Sequence, residues 1–71
     1  MKTRVKEYRQ KKGITQQSLA ELVHVTKRTI ISIETGQYNP SLMLAYRLAR
    51  VFGVSLEELC CLEENCREED R

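Results

Sequence analysis

Lys27 and Arg28 stand side by side at the front of an amphipathic run, TKRTIISIETG, one residue after a threonine that can cap it. The planar guanidinium of an arginine can hold two acceptor atoms at once, and a lysine ammonium acts as a mobile point charge. Paired at the start of a helix, such side chains suit phosphate oxygens or the O6/N7 edge of guanine. Ser32 lies four or five residues further, one turn deeper on about the same face. Ile31 also points outward, where it either meets a thymine methyl group or stands as an exposed hydrophobe. Catalytic chemistry is absent from the pattern. The single histidine, His24, falls in a turn, and no Ser/His/Asp or Cys/His constellation accompanies it. Cys60, Cys61 and Cys66 show no C-x-x-C spacing. They read as free thiols in a terminal helix rather than as a zinc site with His24 or a disulfide framework. No metal, cofactor or small-molecule ligand is expected, and the chain does not read as an enzyme.

The elements that must position these side chains are short helices. Gly13, Gly36 and Gly53 each follow an amphipathic run, where a helix would end in the left-handed region. The first helix is predicted from Lys2 to Lys12, with Val5 and Tyr8 inward. Thr15 caps a second from Gln16 to Val23, with Leu19, Ala20, Leu22 and Val23 inward. Thr26 caps a third from Lys27 to Thr35, with Ile30 and Ile33 inward. Pro40 keeps Asn39 extended. Ser41 then caps a fourth helix reaching Phe52, with Leu42, Ala45, Leu48, Ala49 and Phe52 inward. Ser55 and Glu58 form a capping box for a fifth, with Leu56, Leu59 and Leu62 inward. The second and third helices, joined by a tight break at His24-Val25, have the layout of a helix-turn-helix. No β-hairpin signal or internal repeat appears.

Length and charge bound the rest. Seventy-one residues make one domain. A chain this short buries about 60% of the surface exposed when unfolded, leaving no room for a large internal site. Residues 1–50 carry ten Lys/Arg against three acids, net +7; residues 51–71 carry two against seven, net −5. A basic body is the electrostatic footprint of a phosphate-binding surface, although a merely solvated Lys-rich surface has the same composition. No apolar run approaches the roughly 20 residues of a membrane span, and the first residues lack a signal-peptide core. A cytoplasmic location is the expectation. Residues 1–62 are predicted to form the domain, with 63–71 a charged, disordered tail.

Taken together, Arg9, Gly13, Thr15-Gln16, Leu19-Ala20, Val25, Thr29-Ile30, Ile33-Glu34, Gly36, Asn39-Pro40-Ser41-Leu42, Leu48-Ala49, Phe52-Gly53-Val54 and Leu56-Glu57-Glu58-Leu59 resemble the Cro/repressor-type (XRE-like) helix-turn-helix family over residues 2–60. The resemblance implies an all-α, compact five-helix bundle, the lambda-repressor-like DNA-binding domain. It implies a transcriptional regulator, a repressor, that binds double-stranded DNA with its third helix in the major groove. It places Lys27, Arg28, Ile31 and Ser32 at base edges, and Gln16, Gln17, Thr26, Thr29, Gln37, Tyr38 and Asn39 at the sugar–phosphate backbone. It also makes Arg9 and Glu34 a structural ion pair tying the first helix to the end of the third. The family often has glycine where this chain has His24, a position of positive φ that histidine tolerates better than most residues.

The resemblance further implies a homodimer, at least on DNA. Met43, Leu44, Cys60, Cys61 and Leu62 either form an isologous surface or thicken a thin core. Two other functions fit the same residues: an antitoxin whose tail from Leu62 binds a protein partner, and an interaction bundle that keeps the fold without binding DNA.

Overall fold

The computed structural model describes residues 3–60. Among them are five helices and no strand: α1 (Val5–Lys12), α2 (Gln16–Leu22), α3 (Lys27–Glu34), α4 (Leu42–Phe52) and α5 (Leu56–Cys60). The predicted charged tail, Lys2, Cys61, Leu62 and Cys66 lie outside the described residues.

Four of the five starts, those of α2 to α5, are local side-chain hydrogen bonds, while the Arg4 side chain at the front of α1 makes no such cap bond. Thr15, Thr26 and Ser41 sit in extended backbone, and their hydroxyls accept from the amides of Ser18, Thr29 and Leu44. Ser55 Oγ accepts from Glu58 N at 3.1 Å. These bonds satisfy amide groups that the first helical turn leaves without a partner.

The ends are equally regular. In α1 the amide of Gly13 reaches Gln10 O and that of Ile14 reaches Arg9 O. The same pair of bonds recurs at His24 and Val25 after α2, at Gly36 and Gln37 after α3, and at Gly53 and Val54 after α4. All four are Schellman closures, which need a left-handed residue just past the helix. Three use glycine; the fourth uses His24 at φ 61°. Ile14, Val25 and Val54, the residues after that kink, pack against the core.

The core joins Val5 of α1, Leu19 and Ala20 of α2, Val23, Ile30 and Ile33 of α3, Leu44, Ala45, Leu48 and Ala49 of α4, and Leu59 and Cys60 of α5. Burying each of the larger aliphatic side chains contributes about 1.5–3 kcal/mol. Tyr8 and Phe52 stack at its edge, with ring centroids 5.8 Å apart. The amide of Arg4 donates to Leu59 O at 2.7 Å, so the start of the described chain is tied to α5.

Several sequence expectations are corrected. α1 begins at Val5, while α2 and α3 each end one residue early, at Leu22 and Glu34. Leu22, predicted inward, is 55% exposed. Successive helical residues turn by about 100°, which puts Leu22 well off the arc of Leu19, Ala20 and Val23. Leu42, also predicted inward, is 73% exposed, because the arc of Leu44, Ala45, Leu48 and Ala49 faces the core and Leu42 stands at its margin in the first turn. Leu44 and Cys60 do thicken the core, leaving Met43 exposed.

Candidate nucleic-acid interface

α3 is held at its front by Thr26, whose Oγ1 accepts from Thr29 N at 3.2 Å and lies 3.0 Å from Thr29 Oγ1. Lys27 and Arg28 follow at once. Both are exposed, and neither has an ion-pair partner among the described residues. The inward residues Ile30 and Ile33 are fully buried, which fixes the roll of the helix and turns the opposite face to solvent. Ile31 is 39% exposed on that outer side, and Ser32 is half-buried.

Ser32 also anchors the loop that follows. Its carbonyl accepts from Gln37 N at 2.9 Å and Tyr38 N at 3.1 Å. Gln37, Tyr38 and Asn39 are exposed, with Tyr38 showing 45% of its surface. The loop is thus pinned to the end of α3 while its side chains remain free to meet a ligand.

The opposite end of α3 is clamped. Arg9 Nε donates to Glu34 Oε2 at 2.7 Å and Arg9 Nη2 to Glu34 Oε1 at 3.3 Å. Arg9 Nη1 donates to Ile14 O at 3.1 Å. The Glu34 side chain is only 4% exposed. A two-point arginine–carboxylate contact fixes orientation as well as distance. Gln16 Nε2 donates to the same Glu34 Oε1 at 3.0 Å, a link that sequence reasoning missed. An amide nitrogen has two donors, so the contact leaves Gln16 one N–H for a ligand. Gln17 is exposed and reaches Glu21 Oε1 at 3.3 Å.

The α1 side of this region was also missed. Lys6, with Arg9, Gly13, Ile14 and Thr15, lines a shallow trench shared with Gln16, Gln17 and Lys27. The available signal was spacing: Lys6 stands three residues before Arg9 and therefore on the same helical face. No cluster of three or more metal-ligating side chains occurs among the described residues, and no helix there is long and apolar enough to cross a membrane.

The arrangement is an exposed basic helix start, flanked by polar side chains and held rigid from behind. Residues 5–59 match the Helix-turn-helix family profile. The chain belongs to the Cro/repressor-type helix-turn-helix family of DNA-binding transcriptional regulators. As a helix-turn-helix protein it has near full-length relatives. It is 48% identical over 64 residues to an uncharacterised HTH-type transcriptional regulator of Archaeoglobus fulgidus, covering 90% of this chain and 91% of that one. It is 44% identical over 64 residues to the uncharacterised HTH-type regulator YgzD of Bacillus subtilis, covering 90% and 97%. The helix-turn-helix fold is shared with a restriction-modification controller protein of Aeromonas hydrophila at a TM-score of 0.71 and 33% identity, over 78% of this chain and 83% of that one.

Proposed function

We propose that the protein is a repressor that reads operator DNA with α3 in the major groove. Lys27, Arg28, Ile31 and Ser32 face base edges. Gln16, Gln17, Thr26, Thr29, Gln37, Tyr38 and Asn39 grip the backbone on either side. One observation carries this reading: the two cations at the front of α3 are exposed and uncompensated by any neighbouring acid among the described residues. In the helix-turn-helix docking geometry, that end of the second helix is the one presented to the bases. Regulation then follows from occupancy, since a bound body excludes other proteins from the same stretch of duplex. The protein acts by binding rather than by catalysis, in the cytoplasm, where its DNA is.

The second copy belongs to the same proposal. Leu42, Met43 and Tyr46 lie on the outer arc of α4 and are 73%, 59% and 47% exposed. Arg50 borders them, its guanidinium 5.8 Å from the Tyr46 ring centroid. An apolar strip on a helix facing away from the core suits a two-fold pairing, in which the same patch meets itself. Pairing also doubles the base contacts of a module that makes few alone.

Selection of bound duplexes from a random pool tests the reading. A recovered palindrome with half-sites about one helical turn apart is the expected result. Recovery of no preferred sequence, with co-purification of a small protein partner instead, would favour the antitoxin or adaptor function.

A further inference from the structure

α1 lies outside the helix-turn-helix, yet one of its cations opens onto the same trench as the proposed backbone contacts. Lys6 is exposed and lines that trench with Arg9, Gln16, Gln17 and Lys27. The charges around it do not cancel. Arg9 is matched by the buried carboxylate of Glu34, at 2.7 Å. Lys6 and Lys27 have no acidic partner among the described residues, and the two glutamines are neutral. Lys11, on the same helix, differs: its ammonium is 3.4 Å from Glu7 Oε1 and 5.6 Å from the Tyr8 ring centroid.

The trench walls are also fixed relative to one another. The Arg9 fork holds α1 against Glu34 of α3, its third nitrogen holds the Ile14 carbonyl before α2, and Gln16 completes the junction. Lys6 and Lys27 are therefore presented from two helices whose relative placement is set by a buried contact. Uncompensated positive charge along a trench that also holds a glutamine with a spare N–H suits the phosphates of a nucleic-acid backbone.

We propose that Lys6 binds a backbone phosphate of the same duplex that α3 reads, so that the DNA footprint runs from α3 across the start of α2 onto α1. This rests on the DNA-binding reading above and adds α1 to it. The phosphate contact contributes affinity without sequence preference.

The test is fluorescence anisotropy of the full chain with a selected duplex between 50 and 200 mM salt, for the native protein and for Lys6→Ala, Lys11→Ala and Lys27→Ala. Each lost phosphate contact lowers the slope of log K against log salt by about 0.9. Lys6→Ala is expected to lower the slope by that amount per protomer and to weaken selected and scrambled duplexes equally, while Lys11→Ala leaves both unchanged. A native slope for Lys6→Ala, with a weakened selected duplex for Lys27→Ala, overturns the proposal and leaves the DNA-binding reading standing. Equal losses for Lys6→Ala and Lys11→Ala also overturn it, because net charge alone then accounts for them. Absence of native binding to any duplex removes both. Lys6→Gln, which keeps most of the stem, repeats the measurement if Lys6→Ala lowers the thermal midpoint.

Discussion

His24 stands in the left-handed region at φ 61°, where three of the four helix ends use glycine. A side chain there crowds the following carbonyl, at about 1–2 kcal/mol for a general residue and less for histidine. His24→Gly relieves that strain but frees the unfolded chain, and the net expectation is a gain of about 0.5 kcal/mol in urea unfolding. Arg28 acts at the same scale on a different quantity. If its fork holds one guanine, Arg28→Ala costs about 1–3 kcal/mol on the selected operator and erases preference at one position, leaving scrambled duplex affinity much less changed. A uniform loss across sequences would instead make Arg28 a phosphate contact.

At the scale of elements, the decisive feature is the clamp behind α3. Glu34 is bound by Arg9 and by Gln16, so its removal leaves a guanidinium unmatched at a site where the arginine side chain is 13% exposed. Glu34→Ala is expected to cost about 3 kcal/mol. That is a large share of the 5–15 kcal/mol typical of a domain, of which so small a chain sits near the low end. The double change Arg9→Met with Glu34→Leu should recover most of the loss in the same unfolding experiment, because two apolar groups of similar volume leave no charge unpaired. Recovery of stability without recovery of DNA affinity would separate the clamp's role in folding from its role in placing Gln16. The clamp was legible because Arg9 and Glu34 fit a family pattern; the Gln16 bond was not, since it joins residues 18 apart through a side-chain amide that could point elsewhere.

For the whole molecule, two surfaces differ in chemistry. The trench and α3 start present cations, while the outer arc of α4 presents Leu42, Met43 and Tyr46. Met43→Lys places a charge on that arc without touching the core. Sedimentation equilibrium is expected to show a shift from dimer to monomer, with the unfolding midpoint of dilute protein unchanged. A native chain that sediments as a monomer both free and bound to a palindromic duplex would remove the pairing proposal and leave the fold unaffected. Of the residues whose types suggest a dimer face, Met43 is on the surface, whereas Leu44 and Cys60 are sealed inside.

The chain's own order of residues determined where α2 to α5 start and where α1 to α4 stop. Thr15, Thr26, Ser41 and Ser55 each bond an amide three residues on, and each closing bond spans five residues or fewer, so neighbours in sequence decide them. The exposed Lys27-Arg28 pair followed from the same local logic, once Ile30 and Ile33 faced inward. Only tertiary packing decided that Leu44 is inside while Leu42 is out, because the centre of a buried arc depends on where the neighbouring helices lie. Packing alone also brought Lys6 and Lys27 to one trench and Gln16 to Glu34, placements of distant parts of the chain that no helical period specifies.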